Sequence, residues 1–207
     1  IQKAISRAKK ATKQGNTAVA VEIYTAILQQ HPNHPFAKKR LRKLQKESPS
    51  DRSAQPTQPS QDQITALVNL FHAEQIPELE EASRELLQQY PQSSIVMHIL
   101  GMALSAKGQL KESIQVFDKA IQLKPDYADT YSNRGIALQR LGELDEAMQD
   151  FDQAIQLKPD YAEAYNNRGS ALDQLGRLGE ALKNYDKAIR LKPDYAKAYY
   201  NQGNAAH

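Results

Sequence analysis

The hexapeptide Leu-Lys-Pro-Asp-Tyr-Ala occurs three times, with its proline at Pro125, Pro159 and Pro193. The period is 34 residues, and residues 128–161 agree with residues 162–195 at 20 of 34 positions. A unit this short cannot bury a core alone, so a chain with this period has to stack each unit on the next. The agreeing positions are informative. Small residues recur in phase: Gly101, Gly135, Gly169 and Gly203; Ala137, Ala171 and Ala205; Ala147 and Ala181; Ala120, Ala154 and Ala188. Large ones interleave: Leu104, Leu138 and Leu172; Phe117, Phe151 and Tyr185; Tyr131, Tyr165 and Tyr199; Tyr127, Tyr161 and Tyr195. In each half-unit the apolar positions fall at helical spacing. Gly142 and Gly176 end a first helix, and the prolines end a second. Each unit is therefore expected to be a helix–turn–helix.

The run Tyr165, Gly169, Leu172, Ala181, Tyr185, Ala188, Pro193 resembles the tetratricopeptide repeat. The resemblance implies an all-α fold, an α-solenoid of helical hairpins wound into a right-handed superhelix, with the first helix of each hairpin lining a concave face. Carried backward, the phase finds residues 94–127, with Met97 and Ser113 where an aromatic and an alanine are usual. It also finds a degenerate copy at 60–93, in which Leu67 stands at the glycine, Leu79 at an alanine and Ser83 at an aromatic, while Leu70, Leu86 and Pro91 keep the pattern. Residues 1–34 fit through Gly15, Ala20, Tyr24 and Pro32.

Three segments result. Residues 1–47 form a basic hairpin with an added helix at about 35–47. Residues 48–61, rich in Ser, Pro and Gln, have the composition of a flexible linker. Residues 62–207 form the array, its last helix (196–207) lacking a partner. Ala205 and Ala206 are expected to be left uncovered there, and the chain is expected to be a fragment of a longer one. Charge divides the same way: residues 1–47 carry 11 Lys and Arg against 2 Asp and Glu, and the remainder carries 16 against 22.

The in-phase asparagines Asn133, Asn167 and Asn201 are the leading binding candidates, since an amide both donates and accepts. Tyr131-Ser132-Asn133-Arg134-Gly135 and Tyr165-Asn166-Asn167-Arg168-Gly169 resemble repeats of O-linked N-acetylglucosamine transferases, which implies an amide ladder along the groove. The alternative is that these amides bond the neighbouring hairpin. Further candidates by phase are Ser132, Ile136, Gln139, Arg140, Asn166, Ser170, Asp173 and Gln174. A clamp for the C-terminal carboxylate of chaperones, which some family members build, is not expected. The cationic positions fall on Asp129 and Asn204 in one frame, and on Ile95, Ile99, Ser170 and Gln174 in another.

Little points to catalysis. There is no cysteine, so no disulfide or thiolate metal ligand. His31 and His34 read as turn residues, and His72 and His98 sit singly on helices. Asp150, Asp152 and Asp186 read as solvated. No phosphate-cradling Gly-rich loop or nucleophile elbow occurs. No cofactor and no metal is expected, and this segment is expected not to be an enzyme. Lys38, Lys39, Arg40, Arg42, Lys43 and Lys46 crowd one helix, but Phe36, Leu41 and Leu44 give it a packed face and nothing suggests base stacking, so nucleic acid is not expected as a partner. No run reaches the ~20 apolar residues of a membrane span, and a cytoplasmic protein is expected.

The expected function is a protein-interaction scaffold that binds a peptide or protein on the concave face. Two alternatives stand beside it. The whole chain resembles the N-terminal region of large bacterial proteins whose catalytic domain is a sulfotransferase, glycosyltransferase or iron-dependent oxygenase, which implies a substrate-recruiting role. Exposed hairpin ends would instead support homo-oligomers.

Overall fold

The Lys-Pro step decides where each second helix stops. A residue before proline is pushed out of the helical region. In the computed structural model, which describes residues 1–14, 16–47 and 58–206, Lys124, Lys158 and Lys192 adopt φ −141, −138 and −138° with ψ 83, 87 and 89°. His31 and Tyr90, which precede Pro32 and Pro91, do the same. The ammonium of each lysine then lies over the ring of the tyrosine three residues on: Lys124 on Tyr127 at 5.1 Å, Lys158 on Tyr161 at 4.5 Å and Lys192 on Tyr195 at 5.0 Å. The recurring hexapeptide is thus a helix stop with a cation–π clip.

Twelve helices form among the described residues, in two compact units, 1–57 and 58–207. The first holds α1 (Gln2–Lys13), α2 (Thr17–Gln30) and α3 (Pro35–Glu47) around Ile5, Ala8, Tyr24, Ile27 and Leu44. Gly15 and linker residues 48–57 lie outside the described residues. The second unit holds α4 (Gln61–His72), α5 (Ile76–Gln89), α6 (Ser94–Ala106), α7 (Leu110–Leu123), α8 (Ala128–Leu141), α9 (Leu144–Leu157), α10 (Ala162–Gln174), α11 (Leu178–Leu191) and α12 (Ala196–Ala205). Helices pair in sequence, and each first helix (α4, α6, α8, α10) also touches the next one along. The fold is an all-α helical-repeat solenoid, as expected. One boundary differs from the expectation. Gln61 opens α4 and Ser60 caps it: the Ser60 hydroxyl accepts from the Gln63 amide while the Gln63 side chain accepts from the Ser60 amide, a capping box.

Three of the four in-phase glycines are sockets. A Cβ built on Gly101, Gly135 or Gly169 would lie 2.5, 2.7 or 2.7 Å from the ring of Phe117, Phe151 or Tyr185. Each aromatic is 16 residues on and essentially fully buried. The degenerate hairpin inverts this arrangement. Leu67 takes the glycine position and Ser83 the aromatic one, and both are buried (3% and 0% exposed). Large and small have exchanged sides at roughly conserved volume, which packed cores tolerate. The exchange leaves the Ser83 hydroxyl buried without a hydrogen bond.

Turns between paired helices need a left-handed residue. Gly108, Gly142 and Gly176 supply it at φ 80, 90 and 72°, and the degenerate hairpin puts Glu74 there at φ 56°. At the other end, Ala205 is buried against Leu172, Ala181 and Tyr185. It faces the preceding hairpin, which corrects the expectation that it is uncovered. Ala206 is exposed.

Candidate functional site

Two adjoining clefts lie along the first helices of the array. One, of about 260 Å³, is walled by Ile64, Val68, Phe71 and His72 of α4, by Ile95, His98, Ile99 and Met102 of α6, and by Tyr127. The other, of about 210 Å³, shares Phe71 and Met102 and continues to Ser105, Ala106, Asn133, Ile136 and Arg140. Together they run from an apolar end on α4 and α6 to a polar end on α8. Val68 is solvent-exposed although apolar. Sequence reasoning did not find the apolar end. Its signal was slight: Ile64 and Phe71 also pack against the core of this hairpin, and only Val68 of the three is exposed.

His98 organises this region. It is 5% exposed. Its Nδ1 lies 3.0 Å from the Thr130 hydroxyl, and its Nε2 is 3.5 Å from the Asn133 amide nitrogen. Burial lowers the His98 pKa to about 4, against a smaller opposing pull from Asp129, so the ring is neutral at pH 7. His98 is thus a buried joint between α6 and α8.

A joint at the same phase recurs two hairpins further, between α10 and α12. The Asn201 amide donates to Asn166 Oδ1 at 3.0 Å, and Asn166 in turn reaches Asn167 Oδ1 at 3.4 Å. Asn133–His98 and Asn201–Asn166 are both separated by 35 residues. These amides satisfy one another between neighbouring first helices, as buried polar groups must. Two candidates are corrected by this: Ser132 and Asn166 are 1% and 0% exposed. The packing of one first helix on the next covers them, and neither side chain faces a ligand groove. Asn167 is 8% exposed, while Asn133 and Asn201 are half-buried. Gln139 donates to the Ser170 hydroxyl at 3.0 Å, joining α8 to α10. Exposed Arg140 donates to the Ser105 carbonyl at 2.6 Å. Asp173 is half-buried and Gln174 exposed on α10. Of the sequence candidates, Asn133, Ile136 and Arg140 line the clefts.

The carboxylates read as solvated divide. Asp150 is 4% exposed and takes both Nε and Nη2 of Arg134 at 2.8 and 2.6 Å, and Arg134 Nη1 reaches Asp118 at 2.5 Å. Arg134 on α8 therefore ties α9 to α7. The Arg134 guanidinium holds its proton more tightly than usual through Asp150, whereas burial raises the Asp150 carboxyl against the pull of Arg134. The two-pronged geometry is that of the ion pair. Arg168 repeats the device with Asn184 and Asp152, and Gln202 with Asp186. Asp150 is thus structural, while Asp152 and Asp186 are exposed partners.

No group of three or more His, Cys, Asp and Glu among the described residues could hold a metal. No helix among them is long and apolar enough to cross a membrane. The profile described as TPR repeat matches residues 101–142, 140–176 and 169–207, and that described as tetratricopeptide repeat matches residues 6–34. Together these matches span more than half of the chain, which belongs to the tetratricopeptide-repeat family. No curated protein sequence matches it. Among solved structures, the first TPR of Spaghetti (RPAP3) bound to the HSP90 peptide SRMEEVD is 27% identical, with a TM-score of 0.53 over 55% of this chain and 90% of that one. YrrB, a TPR protein with an unusual peptide-binding site, is 19% identical with a TM-score of 0.59 over 97% and 90% of the two chains. MamA is 23% identical with a TM-score of 0.56 over 92% and 96%. The last two likenesses concern the fold alone.

Proposed function

We propose that the array is a protein-interaction module that holds an extended peptide along its first helices, with an apolar side chain of the ligand seated between α4 and α6. The observation that carries this reading is the pair of adjoining clefts sharing Phe71 and Met102, one apolar and one polar. Asn133 and Arg140 would address the peptide backbone at the polar end. Asn167, Asn201, Gln139, Ser170, Asp173 and Gln174 continue the same helices toward the C-terminus. The peptide bound to RPAP3 is acidic. Among the described residues, Arg140 is the one Lys or Arg lining these two clefts, and it is engaged with Ser105. An apolar anchor is therefore favoured over a carboxylate. Peptide selection from a random display library on the full chain tests the proposal. Enriched peptides are expected to share an apolar residue and to lose about tenfold or more in affinity on Val68→Glu, a buried-contact loss of at least ~1.4 kcal/mol. Enriched peptides indifferent to Val68→Glu and Asn133→Ala would sink it.

The resemblance to bacterial transferase N-terminal regions supports a narrower form, in which the groove recruits, in the cytoplasm, the protein on which a catalytic domain acts. A second reading, self-association, is favoured by α12. Tyr199 and Tyr200 are 49% and 69% exposed there, and nothing lies within 4 Å of a Cβ on Gly203. Light scattering showing a monomer across a concentration series would dismiss it.

A further inference from the structure

The apolar cleft of the array has a carboxylate beside it. Asp129 stands at the second position of α8. It comes two residues after Tyr127, which walls the cleft, and one before Thr130, which lies 3.0 Å from the cleft-lining His98. Asp129 is half-buried. Burial raises the Tyr127 and Tyr161 hydroxyls and Asp129 raises both further, while at His98 it opposes the effect of burial.

No cation within the array answers this carboxylate. His98 is neutral at pH 7. One period on, Glu163 occupies the same position of α10 and accepts from Lys192 Nζ at 3.0 Å. Lys158 stands in the same relation to Asp129, also 29 residues on. Aspartate is one methylene shorter than glutamate, and Lys158 lies over the Tyr161 ring at 4.5 Å without pairing. Lys124 likewise lies over Tyr127. Among the described residues no ion pair includes Asp129. Arg140 is at the other end of α8, roughly 16 Å along the axis, and is held by Ser105.

The polar end repeats the situation. Gln139 on α8 bonds Ser170 on α10. One period after Gln139, half-buried Asp173 makes no hydrogen bond or ion pair among the described residues. A half-buried carboxylate is stabilised when a cation shares its surroundings. A ligand with acidic flanks would instead meet like charge at both places.

Resting on the peptide-binding reading above, we propose that the ligand is a basic segment: its apolar residue sits between α4 and α6, a neighbouring Lys or Arg pairs with Asp129, and a further cation reaches Asp173. Arginine adds a two-pronged match to a carboxylate.

The test is selection from a random peptide display library on the full 207-residue chain at about 0.15 M ionic strength. It is repeated on Val68→Gln and on Asp129→Arg. Peptides lost on Val68→Gln, a neutral change in the apolar cleft, are those the groove holds. They are expected to carry Lys or Arg within about three positions of the apolar residue, about 10 Å of extended chain. On Asp129→Arg the same positions should turn to Asp and Glu beside an unchanged apolar residue, a result that misfolding cannot produce. Asp129→Asn should weaken a synthetic copy of a selected peptide about fivefold or more, and should reduce the salt dependence of its binding. Asp173→Asn tests the second contact should Asp129→Asn disturb Tyr127. Asp145→Asn, exposed on α9, should leave affinity within about twofold. Groove peptides that are neutral or acidic beside the apolar residue would overturn this inference and leave the peptide-binding reading standing. Absence of any peptide sensitive to Val68→Gln would overturn both. Equal weakening by Asp145→Asn and Asp129→Asn would overturn the assigned contact in favour of general attraction to an acidic surface.

Discussion

One substitution made at two in-phase glycines should have opposite effects. At Gly135, an added Cβ would sit 2.7 Å from Phe151 Cε1 and 3.1 Å from Cδ1 and Cζ. Phe151 is 0% exposed and packs with Leu138, Ala147 and Ala171, so the ring cannot withdraw freely. Overpacking of this kind costs about 1–3 kcal/mol. Alanine in a helix interior recovers about 1 kcal/mol over glycine. Gly135→Ala should therefore destabilise the array by about 1 kcal/mol net. At Gly203 nothing lies within 4 Å. Only the propensity gain remains there, reduced near a helix end to about 0.5 kcal/mol of stabilisation. Subtracting one from the other leaves the steric clash less about 0.5 kcal/mol of unequal propensity gain, about 0.5–2.5 kcal/mol. Urea unfolding followed by far-UV circular dichroism gives the global change, and native-state hydrogen exchange on α8 and α12 gives the local ones. Gly135→Ala combined with Phe151→Leu removes the clashing ring atoms and should recover part of the loss. If both single substitutions moved stability in the same direction by the same amount, the socket argument would be refuted.

Two further outcomes are expected. His98 titrates near pH 4 when folded, against an ordinary value near 6.5. Between those values the unfolded chain binds the extra proton, so stability falls as pH drops from about 6.5 toward 4, by up to about 3 kcal/mol in all. Urea midpoints measured across this range should show that slope, and His98→Leu should flatten it. Separately, Glu74→Gly relieves a left-handed non-glycine residue and should raise stability by about 1 kcal/mol, read as a higher thermal midpoint.

The period and the phase of small and large residues were legible because each reflects a local constraint or a contact to the adjoining helix. Glycine stops, the Lys-Pro step and the apolar stripes all act within one hairpin. Even the inverted pair Leu67 and Ser83 was visible as two anomalies, though not as a compensation, because that requires knowing that both side chains are buried. The site was less legible. Asp150 resembles Asp152 and Asp186 in the sequence, yet only Asp150 is buried beneath a guanidinium. Asn133, Asn166 and Asn201 are all amides on first helices, yet Asn166 is enclosed.

What the sequence determined by itself was the unit: a helical hairpin of 34 residues, its ends, its apolar faces and the need to stack. What the tertiary structure decided was which polar groups are consumed by the stacking and which remain for a ligand. The joints His98–Asn133 and Asn166–Asn201 span 35 residues, one more than the period. Whether a side chain at such a position bonds its neighbour or faces solvent depends on how one first helix approaches the next. That approach is set by packing across hairpins, which no single repeat encodes.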